Sequence, residues 1–212
     1  NDGDIDVLSA IDFNFAWYEN NGSESFTEHI IAGYNIDGGF YLHPASVYPV
    51  DVDADGDMDV FSASEGNDKI TLFMNNGSEN FTEHTLASLN GGENPNSFDG
   101  VRSVYGADMD GDGDIDLLSA SALDDKIAWH ENTTSTVFIT GFTAHTIEGN
   151  FDGANSVYAT DVDGDGDVDI LGTAKDADDI TWWENNGSES FTAHTIEGNF
   201  DGANSVYATD VD

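Results

Sequence analysis

The chain has no cysteine and only 4 Lys and Arg against 43 Asp and Glu. No apolar run approaches the ~18 residues that cross a bilayer as a helix. The absent cysteine excludes disulfides and thiolate metal sites, although an extracellular protein can be stapled by metal ions instead. The scarcity of cations excludes nucleic acid as a partner, because nothing is there to neutralise phosphates. An anionic membrane surface is excluded too, unless multivalent cations bridge the two. Motifs of catalysis are also missing. There is no Gly-x-Ser-x-Gly elbow, no His-Glu-x-x-His and no phosphate loop, and acidic pairs are too numerous for one to stand out as a glycosidase dyad. A non-enzymatic protein is expected.

What is present starts with a formal net charge of −39 over 212 residues. Such charge with weak hydrophobicity often means disorder. Here 11% of residues are aromatic and the apolar residues alternate, which predicts a folded β protein with its charge balanced by cations. The chain begins Asn1-Asp2-Gly3 without an initiator Met. It is expected to be a fragment or repeating unit of a longer polypeptide, so missing targeting signals exclude nothing.

Internal repetition organises the sequence. The run Asp161-Val-Asp-Gly-Asp-Gly-Asp-Val-Asp169 recurs at Asp51 to Asp59 and at Asp108 to Asp116. A fourth copy is split between the ends, Asp210-Val211-Asp212 completing Asn1-Asp2-Gly3-Asp4-Ile5-Asp6. First-Asp spacings of 57, 53 and 49, with 53 across the joined ends, account for all 212 residues. The 22 residues from Phe142 to Asp163 reappear unchanged from Phe191 to Asp212, as after a recent duplication. The copies differ mainly between Tyr34 and Ala45 and between Leu89 and Val101.

Each copy reads as four short strands. In one they are Ser156–Thr160, Ile170–Ala174, Ile180–Trp183 and Phe191–Ile196, with Asn185-Asn186-Gly187 as the hairpin signal. Third strands elsewhere are Phe15–Tyr18, Ile70–Phe73 and Ile127–His130, and Phe26, Phe81 and Phe142 open the fourth. Four-stranded units of this length are the mark of propeller blades, so the expected fold is an all-β array of four blades. The expected strand sets are about 46–88, 103–148 and 156–197, with 205–212 joined to 1–33.

An Asp at every second position turns alternate carboxylates into one concave loop, which suits a hard cation taking 6–8 oxygens. With loop positions numbered 1 to 9, Asp161, Asp163 and Asp165 supply carboxylates at 1, 3 and 5. Gly166 permits the turn, as do Gly56, Gly113 and Gly3. Asp167 offers its backbone carbonyl, and Asp169 closes the site directly or through water. A solvated acidic turn is the bland alternative, but a turn needs one or two Asp and not five. Ca²⁺ is the expected ion, about one per repeat, since Mg²⁺ prefers to keep several waters. Four Ca²⁺ would bring the formal charge from −39 to −31.

Other residues invite functional readings that structural ones outweigh. His29, His84, His145 and His194 share one place in the fourth strand; hydrogen bonding is favoured over metal ligation or pH sensing. Trp17, Trp129, Trp182 and Trp183 suit blade cores better than sugar stacking. Asn21, Asn76 and Asn186 fit the glycosylation pattern but coincide with hairpin turns.

The Asp-rich loop followed by Lys126-Ile-Ala-Trp-His-Glu-Asn132 resembles the FG-GAP/VCBS repeat family, over the whole chain. Relatives include integrin α heads, fungal lectins and bacterial surface proteins. The resemblance implies a β-propeller with a Ca²⁺ loop between the first and second strand of each blade. It implies the ligand sets Asp51, Asp53, Asp55 and Asp59; Asp108, Asp110, Asp112 and Asp116; Asp161, Asp163, Asp165 and Asp169; and Asp210, Asp212, Asp2 and Asp6. Position 7 is held by Asp57, Asp114, Asp167 and Asp4. Family propellers have about seven blades, so four repeats leave three arrangements open: a small ring, an excerpt of a longer array, or copies joined tail to head. The expected function is an extracellular or cell-surface, bacterial, calcium-binding protein with a structural or adhesive role. Its expected partners are calcium, itself, surface or matrix components, and glycans. A lectin-like propeller and a non-catalytic module of a secreted enzyme are the alternatives. The expected calcium affinity is ~10⁻⁴–10⁻³ M.

Overall fold

Alternating apolar residues bounded by Asp-Gly and Asn-Gly turns produce 15 strands among the described residues of a computed structural model of the chain. The structure describes residues 3–11, 14–33, 43–88, 98–133 and 142–211. Blade 1 holds β1 (Val7–Ile11), β2 (Asn14–Asn20) and β3 (Phe26–Gly33). Blade 2 holds β4 (Pro44–Val50), β5 (Asp59–Ser64), β6 (Lys69–Asn75) and β7 (Phe81–Ser88). Blade 3 holds β8 (Val101–Ala107), β9 (Asp116–Ser121), β10 (Lys126–Asn132) and β11 (Phe142–Glu148). Blade 4 holds β12 (Ala154–Thr160), β13 (Asp169–Ala174), β14 (Asp179–Asn185) and β15 (Phe191–Glu197). Each blade is an antiparallel meander whose strands pair in sequence order, and only blade 1 has three strands among the described residues. The array is all-β and propeller-type, as the repeat pattern predicts.

The apolar cores lie between blades rather than within them. Phe15 packs with Val60 and Phe73 of the next blade. Phe61 and Leu72 meet Phe98 and Val104, and Leu118 and Trp129 meet Phe151, Val157 and Trp183. In blades 3 and 4 the Phe that opens the outer strand reaches back to the preceding blade, with Phe142 edge-on to Phe61 at 6.3 Å and Phe191 edge-on to Trp129 at 6.4 Å. At this spacing an aromatic pair adds about 0.5–1.5 kcal/mol beyond its burial.

The second strands β5, β9 and β13 are buried at every residue, which explains their small side chains. A Cβ on Gly172 would stand 2.7 Å from the Trp183 ring. In blade 3 the same two places hold Ser119 and His130, hydrogen-bonded at 3.1 Å. Bulk removed from one strand is restored on its neighbour, as close packing requires.

Successive blades are also latched by hydrogen bonds. Asp68, Asp125 and Asp178 sit in the left-handed region, with φ of 51°, 54° and 57°. Their Oδ1 atoms accept from the backbone N–H of Gly100, Gly153 and Gly202 at 2.8, 3.0 and 2.8 Å. Each of these glycines ends a Phe-Asp-Gly, which at Gly100 and Gly153 leads into the next blade. The sequence reading assigned none of these residues a role, although Phe-Asp-Gly occurs three times.

The C-terminal stretch, expected to join 1–33, is described to residue 211 and contacts blade 4. Residues 203–211 form no strand, and Tyr207 lies against Tyr158 of blade 4 at 4.7 Å. The Asn155 amide donates to the Asn204 carbonyl at 2.6 Å. The segment thus follows the inner strand of blade 4, where the first strand of a further blade would begin.

Candidate metal centre

Three loops, each joining the first and second strand of a blade, build the same centre. Position 1 ties the loop together from inside. The Asp161 carboxylate accepts from Gly164 N at 2.7 Å and Gly166 N at 3.0 Å. Asp108 accepts from Gly111 and Gly113 at 2.8 and 3.1 Å, and Asp51 from Asp55 and Gly56 at 3.1 and 3.0 Å. Position 3 carboxylates accept from the N–H two residues on, as Asp110 does from Asp112 at 3.0 Å. Such Asx turns hold alternate carboxylates on the inner side of the loop. The turn glycines Gly56, Gly113 and Gly166 have φ of 94°, 96° and 99°, open to glycine and strained for other residues.

Position 9 is a clamp as well as a ligand candidate. Asp59 accepts from Val52 N at 3.0 Å through Oδ2 and from Asn75 N at 2.8 Å through Oδ1. Asp116 does the same with Met109 and Asn132 at 2.9 and 2.7 Å, and Asp169 with Val162 and Asn185 at 2.9 and 2.8 Å. The Asn answers with its own amide, as Asn185 Nδ2 donates to the Val168 carbonyl at 3.1 Å. In this way the loop is fastened to the end of the third strand. The sequence reading placed Asn185 only in a hairpin. The signal for its second role was the doubled Asn before Gly in Asn20-Asn21, Asn75-Asn76 and Asn185-Asn186.

Carboxylate oxygens of Asp51, Asp53 and Asp59 converge within 4.8 Å of one another, as do those of Asp108, Asp110 and Asp116 and of Asp161, Asp163 and Asp169. Position 5 stands outside these close triads: Asp55, Asp112 and Asp165 each accept from the N–H at position 7 at 2.9 Å. Position 7 turns its carboxylate away, onto the hairpin turn of the same blade. A Cβ on Gly22 would stand 2.6 Å from Asp4 Oδ2, and Gly77 and Gly187 meet Asp57 and Asp167 in the same manner. Asp114 is likewise outside its triad. In the split loop Asp6 accepts from Asn20 N at 2.8 Å, the position 9 clamp again. Asp2 and Asp212 lie outside the described residues, so the set with Asp210 is not assembled within them.

Burial pushes Asp59 and Asp116 up to about 6, against the backbone N–H groups that each accepts. Burial, joined by repulsion from adjacent carboxylates, raises Asp53, Asp110 and Asp163 also. Three converging carboxylates in partly desolvated loops are a hard, anionic donor set, which fits a divalent cation such as Ca²⁺.

The remaining candidates take structural places. Trp17, Trp129 and Trp182 stack on His29, His145 and His194 at 4.3, 4.5 and 4.7 Å. Those His hydrogen-bond to Glu19, Glu131 and Glu184 at 3.1, 3.0 and 2.7 Å. His84 instead faces Leu72 across the strands. Trp129 and Trp183 are buried. Asn21, Asn76 and Asn186 form hairpin Asx turns, accepting from Ser23, Ser78 and Ser188 at 2.9, 3.0 and 3.0 Å. Between the loops of blades 3 and 4 lies a cavity of about 310 Å³, lined by Met109, Asp110, Asp167, Asn185 and Glu189 among others.

The fold and the repeat both have counterparts. No curated protein matches the chain. A solved lectin of Agrocybe aegerita, described as recognising non-reducing terminal N-acetylglucosamine, superposes with a TM-score of 0.58 at 18% identity. The match covers 92% of this chain and 49% of the lectin, so the chain spans about half that protein's length. At this identity the likeness concerns the fold. The model of the FG-GAP-like repeat matches residues 1–62, 51–119 and 108–172, each stretch running from one Asp-rich loop through or beyond the next. With loop, strand order and blade spacing all repeated in that register, the chain belongs to the FG-GAP-like repeat family.

Proposed function

We propose that this propeller module is non-catalytic, is stabilised by about one Ca²⁺ per intact loop, and serves outside the cell as a rigid scaffold for adhesion. The carrying observation is the threefold recurrence of one carboxylate triad at the same joint of successive blades. The charge supports it, since a chain at −39 gains most from cations where free calcium is abundant. Surface or matrix components are its proposed partners. Titration calorimetry of the chain with CaCl₂ tests the reading. The expected result is three sites with dissociation constants of ~10⁻⁴–10⁻³ M and a melting temperature that falls in chelator. A chain that takes up no calcium and melts identically in chelator refutes it.

Glycan binding is a second reading, supported by the likeness to a lectin and by the polar cavity between blades 3 and 4. A glycan array in millimolar calcium, with N-acetylglucosamine-terminated glycans as the first probe, tests it. Absence of binding across the array removes it.

A further inference from the structure

The three intact loops share one carboxylate triad, yet their surroundings divide them. The strand pair that follows His130↔Leu117 sets Glu131 opposite Asp116, and the pair that follows Ile170↔Trp183 sets Glu184 opposite Asp169. Directly opposed residues of an antiparallel pair share one face of the sheet. Each Glu therefore stands beside the position 9 Asp of its own loop. In blade 2 the pair that follows Val60↔Phe73 gives Asp59 a methionine, Met74, as its neighbour. The field at position 3 agrees with this placement. Asp110 and Asp163 are raised by burial first, then by carboxylates of their own loops, and also by Glu131 and Glu184 respectively. Asp53 is raised by burial, Asp55 and Asp51, all within its own loop.

Both Glu side chains are held in place. His145 Nε2 donates to Glu131 at 3.0 Å and His194 Nε2 to Glu184 at 2.7 Å. The two imidazoles stack on Trp129 and Trp182. Trp129 also aims a donor at the centre of blade 3. It is 1% exposed, and its Nε1 has no hydrogen-bond partner of ordinary length. Against the burial that raises Asp116, that N–H stands close enough to favour the charged carboxylate. Nε1 of Trp182 is likewise buried and unpartnered. A buried N–H costs free energy until it meets an acceptor, and a cation centre supplies acceptors as carboxylate and water oxygens. Blade 2 has Leu72 at this place, opposite His84, and so offers no such donor.

We propose that Glu131 and Glu184 set the cation affinity of the centres in blades 3 and 4, each adding a fourth negative charge beside the triad, so that these two centres fill before that of blade 2. The Glu acts through its charge from outside the triad, and the stacked His and Trp fix where that charge stands. A unit charge about 7 Å from a divalent ion, at a near-water dielectric, changes affinity roughly three- to tenfold. The inequality of the centres rests on the calcium reading and goes beyond it.

Calorimetric titration of the full chain with CaCl₂ tests the proposal. Two tighter sites and one weaker site are expected. Glu131→Gln keeps an acceptor for His145 and should weaken one tight site about three- to tenfold. Combined with Glu184→Gln it should make the three sites alike, and Met74→Glu in the parent should strengthen the weak one. Circular dichroism confirms that the variants fold. Melting in chelator separates charge from structure. Removing a repelling carboxylate should leave Glu131→Gln at least as stable as the parent there, whereas a purely structural Glu would cost stability with and without calcium. Three equal sites in the parent, or affinities that the double Gln variant leaves unmoved, overturn the proposal while the calcium reading stands. A chain that takes up no calcium overturns both.

Discussion

Replacing Asp59 by Asn separates the two duties of position 9. The carboxylate is 0% exposed and accepts two backbone N–H groups. Burial raises it from 3.8 to about 6, so the folded protein holds the charged form about 3 kcal/mol less favourably than the unfolded chain does, although the ion still predominates near neutral pH. Asn is neutral and nearly the same shape, and it escapes that penalty. It must, however, aim its amide NH₂ at one of the two N–H donors, leaving that donor unsatisfied at a cost of about 1–3 kcal/mol. The opposing effects nearly cancel, so in chelator Asp59→Asn should lie within about 2 kcal/mol of the parent. On the proposed calcium reading the balance in calcium is different, because the parent would place three carboxylates around the ion and the variant two. Asp59→Asn should therefore lose one calcium site and part of the calcium-dependent rise in melting temperature. Asp57→Asn is the matched control, since that carboxylate lies on the Gly77 turn and outside the triad. Melting curves and calorimetry in calcium and in chelator read both effects. A variant that keeps every calcium site, or that is destabilised equally in the two buffers, refutes the reasoning.

Three other perturbations follow from named contacts. His130 is fully buried and its pKa is lowered by burial to about 3; its neutral form stabilises the fold above the unfolded value of 6.5, and this is lost as pH falls from 6.5 towards 3. The slope is at most about 1.4 kcal/mol per pH unit, and His130→Phe should flatten that limb of an acid titration followed by near-ultraviolet dichroism. Gly77→Ala should cost about 1–3 kcal/mol in a denaturant melt, because φ is 73° and the new Cβ would collide with the Asp57 carboxylate. Asp125→Ala removes the latch to Gly153 N, with an expected loss of about 1–2 kcal/mol and faster amide exchange at Gly153 than elsewhere in β12.

Period and turn chemistry make the blades readable in the sequence. Ile180–Trp183 and Phe191–Ile196 fall inside β14 and β15, because alternation and an Asn-Gly turn are local signals. The loop was legible for the same reason, its Asp spacing being a property of nine adjacent residues. What escaped depended on partners distant along the chain. Asp68 and Gly100 are 32 residues apart, and only stacked blades bring them together. Asp57 and Asp59 are both simply Asp in sequence; that one lies on a turn and the other is buried in a clamp follows from where Asn75 and Gly77 return.

The position of the cores between blades bears on how such a chain can lengthen. The duplicated stretch from Phe142 to Asp163 begins at the outer strand of blade 3 and ends in the loop of blade 4. It therefore carries the outer strand of one blade and the inner strand of the next, a crossing from blade to blade, instead of a blade. Copying a blade alone would set a new surface against one that had never met it. Copying the crossing repeats the step from one blade to the next, and the new unit can differ freely in its middle. Growth by such crossings keeps the joint sequence constant, and variation is then cheapest far from the joints.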